Sequence, residues 1–232
     1  MSESEHPELI PGVEPYYHDA AGQAVYHGDC RELLPLIPEG SVDLVLTDPP
    51  YGIHHPTDFS TRNRENLATS KDYLSVAGDD TPFDPEALLG FPAVIAWGAN
   101  YYCRSLPETS GWLVWDKRVR EGVGVNDQAD CELAWTNCVK GARVFRHMWN
   151  GFWRDSERGE GFHPTQKPVA LMSWCLSRPN VPAGMVLDPY MGSGPVLVAC
   201  KAANRPAIGI EIEERYCEIA ANRLRQGVFC FT

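Results

Sequence analysis

The sequence predicts an α/β protein built on a doubly wound, mostly parallel sheet of seven to eight strands. Three observations predict it. Apolar runs of strand length alternate with segments of helical spacing. Those runs are too continuously apolar for a sheet that is wetted on one face. Almost every run also stops on an acid or an aromatic, which is too regular for turns that would also be rich in Ser and Asn.

Taken in order, the strand-like runs are AVYHGD (24–29), VDLVLT (42–47), PAVIAW (92–97), WLVW (112–115), CELAWT (131–136), RVFRHMW (143–149), MVLD (185–188) and AIGIEI (207–212). Helical segments fall between many of them. RELLPLI is short and holds a proline. PVALMSWCLSR (168–178) and PVLVACKAAN (195–204) each begin with a proline, which fits a first helical position. EERYCEIAANRLRQG (213–227) starts with acids and ends with Arg residues, with Gly227 as its expected cap. Its Tyr216, Ile219, Ala220 and Leu224 share one face.

At 232 residues the chain suits one domain. We expect a single unit over 1–232, a polar tail at 1–20, a loop or insert near the active site at 53–90, and a short target-recognition segment at 137–162. The eight cysteines are scattered and form no CxxC pair, so no metal is expected. With no apolar leader and no membrane-length run, a cytoplasmic protein is expected, with no membrane partner.

The net charge of −11 argues against a surface coated with bases. Residues 1–100 carry −13 and residues 101–232 carry +2. The bases cluster in DKRVR (116–120) and in KGARVFRHMWNGFWR (140–154), where Arg alternates with Phe and Trp. That mixture suits phosphates and stacked bases, and equally an ordinary solvated face.

In doubly wound sheets ligands bind beyond the carboxyl ends of strands. Those ends carry Asp29, Asp48, Trp97 to Asn100, Asp116, Asp188 and Glu211. MVLDPYMGSG joins a strand to a helix through an acid and two glycines, which let a ligand approach the backbone. An acid ending the next strand, Glu211, suits ribose hydroxyls. The dinucleotide fingerprint GxGxxG is absent, and Asp188 would repel a pyrophosphate. A cationic nucleoside without phosphate, S-adenosyl-L-methionine, fits better than NAD.

TDPPYG, FHPTQKPVALM, LDPYMGSG and AIGIEIEERY, in that order, resemble the amino-group DNA methyltransferases that modify adenine N6 or cytosine N4. The catalytic motif precedes the cofactor motif, as in the beta class. VIAWGANYY, WLVWDK, ELAWTN and ARVFRHMWNG resemble small phage or prophage members. The resemblance spans roughly 24–226. It implies a circularly permuted, Rossmann-like class I methyltransferase fold.

It also implies site roles. Asp188, Tyr190, Gly192, Ser193 and Gly194 would hold the methionine end of the cofactor, Glu211 the ribose and Asp29 the adenine. His163, Thr165 and Lys167 would close the methionine pocket, with Lys167 suited to the carboxylate. Two positions depart from the usual DPFxGSGTT: Tyr190 keeps a ring, and Pro195 removes a hydroxyl and an N–H near the cofactor.

Alone, DPPY reads as a turn that ends a strand. Beside the second motif it reads as a catalytic platform. An exocyclic amine is a poor nucleophile because its lone pair is delocalised. Two acceptors, the Asp48 carboxylate and the Pro49 carbonyl pre-aimed by Pro50, can free that pair. Tyr51 offers a face on which a flipped base stacks.

The expected activity is methyl transfer to the amino group of a flipped DNA base, adenine N6 being favoured. Cytosine N4 and RNA remain alternatives, as do an oxidoreductase and a silent DNA-binding module. Lys140, Arg143, Arg146 and Arg154 are the expected phosphate contacts. A second copy of the chain is a further candidate partner.

Overall fold

The computed structural model describes residues 9–54, 77–118, 129–150, 153–157 and 166–226. Among the described residues the expected α/β sheet is present, with nine strands rather than seven to eight, in the order β1-β2-β11-β10-β3-β4-β6-β5-β7. These are β1 (Tyr17–His18), β2 (Gln23–His27), β3 (Leu44–Thr47), β4 (Val94–Trp97), β5 (Gly111–Asp116), β6 (Cys131–Thr136), β7 (Ala142–Arg146), β10 (Val186–Asp188) and β11 (Ala207–Glu211). β2, β11, β10, β3 and β4 form a parallel block. β6 runs antiparallel to both β4 and β5, while β7 is parallel to β5.

The apolar runs are continuous because both faces of the sheet are covered. Side chains alternate across a strand. Leu44 and Leu46 pack with Ile95 and Trp97 against α3 (Val169–Leu176), α4 (Pro195–Ala202) and α5 (Glu214–Arg225). Val45, Val94, Ala96 and Leu187 face the other way, toward α1 (Cys30–Leu33) and α2 (Glu86–Leu89). Each such side chain contributes roughly 1.5–3 kcal/mol by leaving water.

The helix signals act locally. Asp29 caps α1 by accepting the Arg31 N–H at 2.9 Å, and Pro35 converts the following turn to 3-10 geometry. Pro195 opens α4 at its first turn, where its missing N–H costs no helical bond. Pro168 is the residue before α3 rather than its first member. α5 has Glu214 in its first turn and Arg223 and Arg225 in its last, which complements the helix dipole. It stops at Gln226 in extended geometry, and Gly227 lies outside the described residues.

The predicted strand over 143–149 is in fact two pieces. β7 ends at Arg146, and the chain then turns to form a separate hairpin of β8 (Trp149–Asn150) and β9 (Trp153–Arg154). Met148 N–H donates 2.7 Å to Asp155 Oδ2, and Asp155 N–H donates 3.0 Å to the Met148 carbonyl. These bonds replace continuation along β5. Among the described residues no helix is long and apolar enough to cross a membrane.

Candidate active site

β10 lies beside β3 with Val186 opposite Leu44 and Leu187 opposite Val45. That register brings the ends of two segments distant in sequence together. Thr47 Oγ1 donates a 2.7 Å bond to Asp188 Oδ1 across a separation of 141 residues. Asp48 and Asp188 line one cleft of about 780 Å³, together with Asp29, Tyr190, Gly192 and Glu211. The parallel block thus delivers its carboxylates to one end.

Asp188 is almost fully buried, and burial pushes its carboxyl up to about 7 against the pull of the Thr47 hydroxyl and the Tyr190 N–H. Glu211 Oε2 accepts the Gly192 N–H and Oε1 accepts the Glu213 N–H, each at 2.8 Å. Burial raises this acid too. Each oxygen keeps lone-pair capacity for a hydroxyl donor. Gly194 has φ 76°, and a Cβ there would lie 2.9 Å from the Ala220 Cβ. Only glycine allows both that backbone and the close approach of α5. Ser193 is buried, and its carbonyl accepts 2.8 Å from Arg223 Nη1. Asp29 is held by Arg31, whose Nε reaches both carboxylate oxygens at 3.0 Å and draws its pKa down.

Pro49, Pro50 and Tyr51 also line the cleft. The Tyr51 hydroxyl donates a short bond to Asp48 Oδ1. The Tyr51 ring packs on the backbone of Gly98, where an added Cβ would fall 1.8 Å from Cε1. Its face stacks on Tyr101 at 5.0 Å and 17°. Trp97 is itself buried in the core.

Asp79 anchors the loop. Its Oδ1 accepts the N–H groups of Tyr51 (3.1 Å), Gly52 (2.8 Å) and Ile53 (3.2 Å). Successive N–H groups converging on one anion form a nest that fixes backbone direction.

Lys167 is 5% exposed and sits inside this cluster. Its ammonium lies 2.7 Å from Asp48 Oδ2, 2.9 Å from Glu132 Oε2 and 3.1 Å from the Tyr51 hydroxyl. Glu132 also pairs with Lys117 at 3.0 Å. Burial opposes every charge here. For Asp48 burial wins and its pKa rises. For Glu132 the two lysines outweigh burial and hold it near about 2. For Lys167 the two carboxylates outweigh burial, so its pKa rises.

Neither Asp79, Glu132 nor Glu157 stands out in the sequence. Glu157, at φ 51°, accepts the Val169 N–H (2.9 Å), Gln166 Nε2 (3.0 Å) and Arg223 Nη2 (2.8 Å), tying three segments beside the Gly loop. His163 and Thr165 lie outside the described residues, as does most of the 53–90 loop.

The four basic residues do not form one group. β7 is parallel to β5, and through β6 both run parallel to β4, so Arg146 lies at the cleft end of the sheet. Lys140 precedes β7, roughly 20 Å away along the strand direction. Alternation sends Arg143 and Arg146 to opposite faces, and Arg146 pairs with Asp116 at 3.4 Å. The side chain of Arg154 is outside the described set.

The described cysteines are free thiols, and burial pushes Cys200 and Cys217 up to about 12, so neither is a ready nucleophile. No cluster of three or more metal-ligating side chains occurs among the described residues.

Residues 113–222 match the N6/N4 methyltransferase family, described as DNA methylase. The type II methyltransferase M.HinfI of Haemophilus influenzae is 26% identical over 244 residues, covering 87% of this chain and 68% of that protein. Over those residues the chain is similar to the amino-group DNA methyltransferases. Its fold agrees with that of solved DNA methyltransferases. The M1.HpyAVI–SAM complex aligns with a TM-score of 0.52 at 23% identity, covering 87% of this chain and 99% of that one. The cytosine-N4-specific PvuII DNA methyltransferase aligns with a TM-score of 0.61 at 16% identity, covering 91% and 89%. The paired acids of the cleft lie on two loops, one following β3 and the other following β10.

Proposed function

We propose that the protein transfers a methyl group from S-adenosyl-L-methionine to the exocyclic amino group of a flipped base in DNA, with adenine N6 as the acceptor. The observation that carries this reading is the meeting of Asp48 and Asp188 at one cleft, joined by the Thr47 bond.

The cleft suits a phosphate-free cationic nucleoside. Its wall is acidic, and Arg31 and Lys167 are already engaged by Asp29 and Asp48. Asp188 and the loop through Gly192 to Gly194 would hold the methionine end, Glu211 the ribose, and Asp29 the adenine. Tyr190 would complete the wall. His163 and Thr165 enter by family resemblance alone. When bound, the cofactor supplies an electrophilic methyl on a sulfonium.

The chain's own residues act on the amine. Asp48 accepts one amino N–H, and the Pro49 carbonyl is the second acceptor, with Pro50 restricting its backbone. Those bonds localise the lone pair on nitrogen. An N–C bond forms as the S–C bond breaks, and its electron pair stays on sulfur. One amino proton then leaves, with Asp48 as its nearest acceptor. Tyr51 presents the stacking face, and Gly98 and Asp79 hold it in place.

Among the basic residues, Arg146 is the best placed for phosphate near the cleft. Arg154 joins it as a base of the same Arg and aromatic stretch, while Lys140 and Arg143 would meet DNA only beyond the active end. Cytosine N4 is the second reading, because it offers the same amino geometry to Asp48. A homodimer is also proposed, to be read from sedimentation with and without DNA.

The test is labelled methyl transfer to DNA, RNA and protein side by side, followed by mapping of the modified base. DNA labelling that vanishes in Asp48→Ala supports the reading. Labelling of RNA or protein alone, or an unchanged Asp48→Ala, would overturn it.

A further inference from the structure

We propose that Glu132 is a positioning residue for methyl transfer: it keeps the Lys167 ammonium anchored when the target amino group takes Lys167's place on Asp48. This rests on the function proposed above.

The Lys167 ammonium pairs with two carboxylate oxygens, Asp48 Oδ2 at 2.7 Å and Glu132 Oε2 at 2.9 Å, and donates a hydrogen bond to the Tyr51 hydroxyl at 3.1 Å; the Glu132 contact is an ion pair without hydrogen-bond geometry. Both oxygens of Asp48 are therefore already engaged, one by Tyr51 and one by Lys167. An exocyclic amine is also an N–H donor. To reach Asp48 it competes for the lone pairs that Lys167 now uses.

Releasing Lys167 from Asp48 would leave a cation in a buried site with no counter-charge, a costly state. Glu132 removes that obstacle. It already shares the ammonium, and Lys117 at 3.0 Å keeps Glu132 itself paired and aimed. The four groups, Asp48, Lys167, Glu132 and Lys117, alternate in sign and sum to zero. Exchange of Asp48 from Lys167 to the amine then leaves Lys167 paired with Glu132 and Glu132 paired with Lys117.

The topology places Glu132 for this task. β6 is antiparallel to β4, with Trp97 opposite Ala134. The start of β6 therefore lies at the end of the sheet where the parallel strands finish. Glu132, the second residue of β6, projects into the catalytic cluster from two strands away.

The experiment compares single-turnover transfer to DNA, at saturating cofactor, in the wild type, Glu132→Gln, Lys167→Met and the double variant. Cofactor affinity is measured in parallel. Glu132→Gln should slow transfer by about tenfold or more while changing cofactor affinity less than twofold. The double variant should be faster than Glu132→Gln, because Lys167 no longer competes for Asp48. A structural role alone would give no such rescue. Should Glu132→Gln fail to fold, Glu132→Asp carries the comparison, with the same rescue required. A Glu132→Gln rate within twofold of wild type, or a double variant no faster than the single, would overturn the inference while the methyltransferase reading stands. A wild type that transfers nothing to DNA sinks that reading first, and this inference with it.

Discussion

Thr47 Oγ1 donates a 2.7 Å hydrogen bond to Asp188 Oδ1, across the junction of β3 and β10. Through this contact the strand that leads into the Asp48–Tyr51 loop helps set the ionisation of Asp188. The bond favours the carboxylate, and burial opposes it with greater force.

In the function proposed above, Asp188 would give cofactor binding a pH dependence. Its folded pKa, about 7, is above that of an ordinary aspartate. The sign follows: the group contributes stability to the free protein that is fully present below about pH 4 and is lost as pH rises through about 7. A cationic ligand prefers the ionised form. Affinity for S-adenosylmethionine should weaken roughly tenfold per pH unit below about 7 and level off above it. Asp188→Asn should bind more weakly and remove that slope. Thr47→Val should move the midpoint to higher pH. Calorimetric titration from pH 5 to 8 reads all three.

Glu132 gives the opposite sign. Its folded pKa is depressed to about 2, so it contributes stability above about pH 4.5 that is lost as pH falls through about 2. The effect should be on the order of a few kcal/mol. Denaturant midpoints between pH 6 and 2.5 should fall less in Glu132→Gln than in the wild type.

Asp79→Ala would leave the N–H groups of Tyr51, Gly52 and Ile53 without their shared acceptor. Loss of one buried partner costs about 1–3 kcal/mol. Transfer should fall by roughly tenfold to a hundredfold, while cofactor affinity stays near wild type. Asp79→Asn keeps an acceptor oxygen and should lie between. Steady-state transfer assays with parallel thermal melts separate the loop effect from general instability.

Gly98→Ala would place a methyl where the Tyr51 ring now rests. The ring must move, and with it the stacking face. Transfer should drop by roughly tenfold or more, with cofactor binding retained. An unchanged transfer rate would show that the ring position does not matter to the reaction.

Much of this site is legible in the sequence because the parallel block obeys a simple rule. Strands that run the same way end at the same place, so Asp29, Asp48, Asp188 and Glu211 could be read off strand ends. Glu132 escapes that rule because its strand runs the other way, and its start, not its finish, faces the cleft. Asp79 escapes for a different reason: it lies on a loop, and only the three-dimensional path of the chain brings it under Tyr51, Gly52 and Ile53. The break after Arg146 depends on Asp155, nine residues further along, which no strand periodicity reports. Lys167 enters the sequence reading only through the family resemblance, as a partner for the cofactor carboxylate; neither its burial nor its contacts with Glu132 on β6 and with Asp48 follow from the sequence.

The pairing of β3 with β10 also governs how the molecule is made. The partners of the Thr47 bond are 141 residues apart. During synthesis at about 5–20 residues per second, β3 waits on the order of ten seconds for β10 to be translated. Until then it can pair with β4 alone, and its other edge stays open. An unpaired edge between apolar faces invites contact with other chains. Ribosome-bound chains ending before residue 186 should therefore be the species that holding chaperones retain, and completion of β10 should be the event that releases them.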